Sequence, residues 1–309
     1  MNAPLFYSKI LLFGEYGIIK NSKGLSIPYN FYKGGLKTGD LSNKTVFKSN
    51  EILSQFREYL KKIDPKIVSF NFSSMDDDLS NGMYFDSTIP QGYGVGSSGA
   101  LVAAFYDRYG KNKITVLENL TKDKILTLKD IFSKMESYFH GKSSGLDPLN
   151  SYLSLPILIR SKTSIETTGI PTQSQNGKGA VFLLDSGESS KTAPMVDIFL
   201  KSMKNKDYSK FFREEFIKIT DSCVDNFVEG NFKSLILDIK KLSEIVLKNF
   251  KPMIPENFHK IWKKGIDTND YFLKLCGSGG GGYILGFTKD IKKAEQSLKD
   301  FNLEVVYHF

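Results

Sequence analysis

The chain has 309 residues, 40% hydrophobic and 25% charged, with 42 Lys and Arg against 34 Asp and Glu for a formal net charge of +8. That length allows one large or two modest domains, and no apolar run approaches the roughly 20 residues of a membrane span. The basic residues are scattered rather than gathered into a stripe, which argues against nucleic acid as a partner. The N-terminus MNAPLFYSKILLF lacks the basic start and cleavage site of a signal peptide. Cys223 and Cys276 form neither a disulfide framework nor a CxxC metal site. A reduced, cytoplasmic enzyme with no membrane partner is the expectation.

The first segment, LFYSKILLFGEYGII, reads as a buried strand ended by Gly14. Ile10 and Leu12 alternate with Leu11 and Phe13, so both faces are apolar, and Lys9 and Glu15 flank the run. Short strand candidates follow around Ser26 to Lys33 and at Leu36, with turns at Gly24 and Gly34-Gly35. Ile52, Leu53, Phe56 and Leu60 predict a helix from Ser49 to Ile63, capped by Asn50. Ile67 to Ser73 and Met83 to Ile89 alternate like two strands around the polar loop MDDDLSNG. Its aspartates, Asp76 to Asp78, read as a solvated acidic turn, because an EF-hand needs a longer loop closed by a glutamate.

Pro90 to Gly110, PQGYGVGSSGALVAAFYDRYG, is the stretch around which the chain is organised. Gly92, Gly94 and Gly96 allow tight bends and close backbone approach to a ligand. Ser97 or Ser98 can cap the following helix, whose apolar face is Leu101, Phe105 and Tyr109. A glycine-rich loop entering a helix N-terminus offers free amides and a positive dipole end to an anion, typically phosphate. An ordinary turn before a core helix is the other reading, and neither GxxxxGK[ST] nor GxGxxG is present.

Helical spacing continues from Lys113 to Asp123 and from Thr127 to Phe139, ending at His140-Gly141. HGKSSGLDPLNSYL then reads as a polar turn with Ser144 or Asp147 as an N-cap. Glu136 and His140 share a helix face and could ligate a transition metal. No HExxH or second nearby histidine accompanies them, which disfavours a zinc hydrolase. Leu155 to Arg160 and Ser164 to Thr168 are strand candidates, and Gly169 to Gly179 is the candidate domain boundary. Ala180 to Asp185 reads as a strand, Glu188 to Lys191 as a turn, and Thr192 as the start and cap of a helix. Amphipathic segments at Tyr208 to Glu229, Asn231 to Phe250 and Glu256 to Gly265 read as core helices. After a strand at Tyr271 to Leu275, KLCGSGGGGYILGF is a constrained glycine loop closely flanked by apolar strands. A helix at Ile291 to Phe301 and a strand at Leu303 to Tyr307 close the chain.

Four of these stretches, in order, resemble the motifs of the GHMP kinases. Lys9, Ile10, Leu12, Phe13, Gly14 and Glu15 match GKVILFGEHAVV, its mevalonate kinase form. Ser8 replaces a glycine there, and Tyr16 replaces the histidine that contacts the acceptor; GEY is more like phosphomevalonate kinases. Pro90, Gly94, Gly96, Ser97, Ser98 and Ala100 match PxxxGLGSSAA, with Val95 for the leucine and Gly99 for an alanine. Glu136, His140, Gly141, Ser144, Gly145 and Asp147 match E…HGNPSGxDN, Glu136 lying eleven residues before Asp147, with Pro148 for an asparagine. Lys274, Leu275, Gly277 and Gly279 to Gly282 match KLTGAGGGGC, with Cys276 and Ser278 as departures.

The resemblance is closest to mevalonate kinase. It implies an α+β, two-domain fold: a ribosomal-protein-S5-like, ATP-binding domain over 1–175 and a ferredoxin-like domain over 176–309. It also implies ATP and Mg²⁺ as cofactors and a small-molecule hydroxyl acceptor as partner, and it leaves a homodimer open. By the same resemblance, Gly92, Gly94, Val95, Gly96, Ser97 and Ser98 would cradle the ATP phosphates. Ser98 and Glu136 would hold the metal, and Asp147 would take the acceptor proton or hold the hydroxyl in line. Lys9 would orient Asp147 and stabilise the developing charge. Glu15, Tyr16 and Thr192 would lie on the acceptor side, and Gly277, Gly279 and Gly280 would close on the site. The expected reaction is ATP plus mevalonate giving 5-phosphomevalonate and ADP. Phosphomevalonate kinase, another GHMP kinase and a non-catalytic nucleotide-binding relative are the alternatives. The last expects loss of Asp147, Lys9 or the magnesium ligands, and all are present.

Overall fold

The computed structural model describes residues 4–116, 120–174 and 177–309. The chain divides into two compact units, each assembled from separate stretches. The first takes the chain up to Lys9, Pro28–Pro90 and Gly96–Leu155; the second takes Ile10–Ile27, Gln91–Val95 and Pro156–Phe309. The sequence predicts a single cut near residue 175; by contacts, the second unit takes Ile10–Ile27 and Gln91–Val95 as well as the chain from Pro156 onward.

Two strands contribute to both units: β1 (Phe6–Phe13) and the 15-residue β2 (Gly24–Thr38). In the first unit, the end of β2 pairs antiparallel with β3 (Met83–Ser87), from Gly34 opposite Ser87 to Thr38 opposite Met83. Among the described residues, five helices complete this unit: α1 (Lys44–Leu60), α2 (Phe72–Ser80), α3 (Ser97–Tyr109), α4 (Lys122–His140) and α5 (Leu146–Leu153). α3 is its axis, with Gly99 to Tyr106 all buried. Small residues there (Gly99, Ala100, Ala103, Ala104) let neighbours approach closely. Phe105 meets Phe56 of α1, with ring centroids 5.1 Å apart, and Tyr106 meets Phe132 of α4 and Tyr152 of α5.

In the second unit, Gly24–Ser26 of β2 pair with β4 (Ile157–Ser161), which pairs with β5 (Ser164–Thr167). A separate antiparallel sheet has the order β7-β8-β6-β9, formed by Phe272–Leu275, Tyr283–Thr288, Ala180–Asp185 and Leu303–His308. β8 is buried along its whole length, and β6 along all but its last residue, Asp185, in keeping with the apolar runs at residues 180–184 and 283–287. The helices are α6 (Thr192–Ser202), α7 (Lys206–Phe211), α8 (Ile217–Val228), α9 (Phe232–Asn249), α10 (Glu256–Thr268) and α11 (Ile291–Ser297). Ser243 of α9 ties three elements: its hydroxyl accepts from Leu273 N–H of β7, and its carbonyl accepts from the Trp262 indole of α10. Among the described residues, no helix is long and apolar enough to cross a membrane.

Several local expectations give way to tertiary contacts. α1 starts at Lys44 because Asn43 caps it, accepting from the Thr45 and Val46 amides; Asn50 instead donates to the carbonyls of Leu79 and Met83. The acidic turn is part of α2, where Asp76 pairs with Arg57 and Asp78 with Arg108. The strand expected over Ile67 to Ser73 is reduced to one bridge, Phe70 to Gly110, because Asn71 caps α2. Gly24, Gly34 and Gly35 are strand residues of β2, not turns; a Cβ on Gly34 would run into the Phe85 ring. Residues 113–116 are not helical, and 117–119 lie outside the described residues; Thr121 caps α4. Residues 175 and 176 of the candidate boundary also lie outside them. A π-helical turn, Phe212–Phe216, interrupts the segment read as one helix from Tyr208 to Glu229, and α11 stops at Ser297.

Candidate active site

In the first unit, residues of three sequence motifs meet at the first turn of α3. Its N-cap is Gly96, at φ 85°, where a Cβ would come within 3.1 Å of the Lys9 side chain. Ser97 and Ser98 therefore lie inside the helix and do not cap it. That leaves the Ser98 hydroxyl 3.0 Å from Glu136 Oε1 and 2.9 Å from His140 Nε2. All three groups are satisfied when the imidazole donates from Nε2 to Ser98 and Ser98 donates to the carboxylate. Glu136 and His140 thus share a serine hydroxyl.

Glu136, on the last turns of α4, is 3% exposed. Its second oxygen accepts from the Ser143 hydroxyl. Burial, then the nearby Asp147 charge, push its carboxyl up to about 8, against the opposing pull of Ser143, Ser98 and Lys9. Burial also lowers the His140 imidazole, with Asp147 opposing.

α5 supplies Asp147 on its first turn, behind an N-cap formed by Gly145, so neither Ser144 nor Asp147 is the cap. Asp147 Oδ1 lies 3.0 Å from Lys9 Nζ; the lysine side chain is 5% exposed and the aspartate 38%. A buried cation thus holds a carboxylate that still reaches outward. α5 can approach α3 because position 99 is glycine: a Cβ there would lie 2.7 Å from the Asp147 carbonyl carbon and 2.8 Å from Pro148 N. Two departures from the family motifs, Gly99 and Pro148, therefore face each other. Pro148 stands in the first turn of α5, where its missing N–H breaks no helical bond.

Among the described residues no three His, Cys, Asp or Glu side chains gather as a metal cluster. A Ser98 hydroxyl beside the Glu136 carboxylate is nonetheless an all-oxygen set suited to Mg²⁺. That ion commonly takes one or two protein ligands and completes its shell with phosphates and water.

The residues expected to cradle phosphate are divided: Gly96, Ser97 and Ser98 belong to the first unit, and Gly92, Gly94 and Val95 to the second. In the second unit this segment packs against the later glycine loop. Gly94, at φ 79°, would place a Cβ 2.6 Å from the Cys276 carbonyl oxygen; Gly282, at φ 73°, would place one 2.5 Å from Tyr93 Cα. The Tyr283 amide donates to Tyr93 O (3.3 Å) and the Ser190 amide to Gly92 O (3.0 Å). The Gly280 amide donates to Met253 O (2.6 Å) and the Gly282 amide to Glu188 O (2.5 Å). Gly277, Gly279 and Gly280 thus sit in a loop pinned by backbone bonds.

Glu15 and Lys274 form a buried ion pair of 2.6 Å beside this loop, and Lys274 also donates to Leu275 O. They line a cavity of about 10 Å³ with Tyr16 and Thr220, room for roughly one water. The Tyr16 hydroxyl donates to Ser278 O at 2.5 Å, and its ring centroid lies 4.7 Å from that of Phe199. Thr192 is exposed at the start of α6, where Lys191 occupies the cap position with no side-chain cap bond. Sequence reading missed Ser143, because SSG offers two serines and the motif match fell on Ser144, whose hydroxyl accepts from Leu146 N–H. It also missed the 188–190 segment, which bonds to both glycine loops through the Glu188 carbonyl and the Ser190 amide.

Residues 55–154 match the model of the GHMP kinases N terminal domain. Over the full chain the structure is similar to that of L. major mevalonate kinase in complex with R-mevalonate (TM-score 0.62, 15% identity, covering 100% of this chain and 96% of that one). It is similar also to Streptococcus pneumoniae phosphomevalonate kinase in complex with phosphomevalonate and AMPPNP (0.63, 13%, 100% and 99%). Lactococcus lactis galactokinase complexed with galactose is a third neighbour (0.59, 12%, 98% and 93%). No curated protein sequence matches the chain. At such identities the structural likeness is one of fold.

Proposed function

We propose that this chain, which has the GHMP kinase fold throughout and a GHMP kinase N-terminal domain at residues 55–154, transfers the γ-phosphoryl group of ATP to the hydroxyl of mevalonate. The observation that carries this reading is the Lys9–Asp147 pair at 3.0 Å, in the same unit as the Ser98–Glu136 contact at 3.0 Å. Asp147 receives the proton of the acceptor hydroxyl, or holds that hydroxyl in line, as its oxygen bonds to the γ-phosphorus and ADP leaves. Lys9 keeps Asp147 aimed and offsets charge developing on the transferred group. The first-turn amides of α3 have no partner within the helix and face the anion with the positive end of the dipole. Ser98 and Glu136 would hold Mg²⁺, which would supply charge neutralisation to the phosphates. Phosphoryl transfer asks chiefly for such positioning and electrostatics.

Neighbours solved with R-mevalonate, phosphomevalonate and galactose support small hydroxyl-bearing acceptors as the substrate class. The test is coupled ADP release over mevalonate, phosphomevalonate, homoserine and galactose. Turnover highest with mevalonate is expected. Turnover confined to another acceptor reassigns the substrate, and release with none of the four sinks the kinase reading.

A further inference from the structure

We infer that Tyr16 is a positioning residue for the nucleotide phosphates: it latches the Gly277–Gly280 loop, and through it the Gly92–Val95 loop, and does not contact the acceptor. The inference rests on the proposed function for assigning those loops to phosphate.

Tyr16 is the residue at which the resemblance points to the acceptor, and its surroundings argue otherwise. The residue is 6% exposed, with its ring between Phe199 and Phe250. Its only polar side-chain atom donates to Ser278 O at 2.5 Å. Burial, with the Glu15 charge, raises the phenol far above its ordinary value, so it stays a donor. Its backbone sits at φ 59°, a conformation costly for a non-glycine residue and kept only where the surroundings enforce it.

Its neighbour works in the same direction. Glu15 holds Lys274, which in turn donates to Leu275 O. Residues 15 and 16 therefore grip the chain on both sides of Cys276 and Gly277. Those two residues lie against Gly94, as the 2.6 Å from its ideal Cβ to Cys276 O and the 3.3 Å from that of Gly277 to Gly94 Cα record. A glycine loop has no side chains of its own to fix where its amides point. Backbone bonds and the Tyr16 hydroxyl do that, and a shift at Ser278 is passed to Gly94.

Tyr16→Phe deletes the hydroxyl and keeps the packed ring. Loss of one such hydrogen bond should weaken binding of AMPPNP by roughly 3- to 10-fold and speed hydrogen exchange of the 276–282 amides. The acceptor KM should be unchanged for whichever acceptor the ADP-release screen identifies. Tyr208→Phe, altering a second tyrosine that packs on Phe250, should leave all three readouts alone. A raised acceptor KM with unaltered AMPPNP binding would overturn the inference, and so would exchange and binding both at wild-type values. Wild-type protein that binds no AMPPNP refutes the proposed function and the phosphate half of the inference together; the exchange measurement still decides the latch.

Discussion

Around Glu136 and Asp147 the atoms of the proposed site belong to side chains; around Gly92–Val95 and Gly277–Gly282 they belong to the backbone. The first region is set on the ends of three helices. Ser98, Glu136 and Asp147 reach one another because α3, α4 and α5 pack through Gly99, Phe132 and Tyr152. The second region is set by amide-to-carbonyl bonds between loops and by glycines at positive φ. Side-chain sites tolerate isosteric replacement structurally and lose chemistry. Backbone sites offer no atom to remove, so a substitution acts by displacing the chain. The two regions should therefore fail differently.

The largest effect is expected in the first region. A positioned base typically contributes about 10²- to 10⁴-fold, so Asp147→Asn should lower kcat by roughly that factor with AMPPNP binding retained. Lys9→Met should also lower kcat, and the double variant should lose less than the product of the two, as residues acting as a unit do. Near-normal turnover in folded Asp147→Asn protein would remove the catalytic assignment.

Gly282→Ala probes the second region. The added methyl would sit 2.5 Å from Tyr93 Cα at a residue with φ 73°. Neither the backbone atom it meets nor the dihedral can adjust cheaply, and a cost of about 1–3 kcal/mol follows. Stability and nucleotide binding should fall together, read by thermal unfolding and AMPPNP titration on the same preparation. A variant with unchanged Tm and unchanged binding would show that the loops are not mutually fixed, and the contrast between the two regions would collapse.

The same contrast explains what could be read from the sequence. Lys9, Ser98, Glu136 and Asp147 could be singled out because each falls in a stretch that resembles a GHMP kinase motif; taken alone, they read as a flanking charge, helix caps and a helix-face carboxylate. Long amphipathic helices were equally plain: the segment expected from Asn231 to Phe250 is α9, Phe232–Asn249. α2 was hidden because FSSMDDDLS buries only Met75 and Leu79, and the ion pairs of its aspartates with Arg57 and Arg108 are tertiary. Gly99 and Pro148 appeared as two separate departures, and only the packing of α5 on α3 joins them. The bond from Tyr16 to Ser278 spans 262 residues, and its acceptor is a carbonyl oxygen that every residue has. No side-chain pattern announces such a bond.

The smallest expected effect is a pH dependence that belongs to the side-chain region alone. Burial and the Asp147 charge hold the Glu136 carboxyl at about 8, above its ordinary 4.5. Between those values the folded protein keeps a proton that the unfolded chain has released. Stability from this group is therefore fully present below about pH 4.5 and is lost progressively as pH rises toward 8. His140 acts with the opposite slope, because its lowered imidazole pKa makes the fold lose stability as pH falls below 6.5. Between pH 7 and 8 its remaining effect fades as the imidazole becomes neutral in the unfolded chain as well. Glu136→Gln carries a neutral side chain of nearly the same shape at every pH. Its unfolding free energy relative to wild type should rise from pH 7 to 8 in magnesium-free buffer, measured by urea denaturation. Mg²⁺ with a nucleotide should flatten the wild-type slope, because a cation beside Glu136 favours the charged carboxylate, and Glu136→Gln should need more magnesium for turnover. Parallel stability curves for the two proteins would mean that Glu136 is ionised without cost in the fold. A magnesium requirement unaltered by the substitution would take Glu136 out of the metal site.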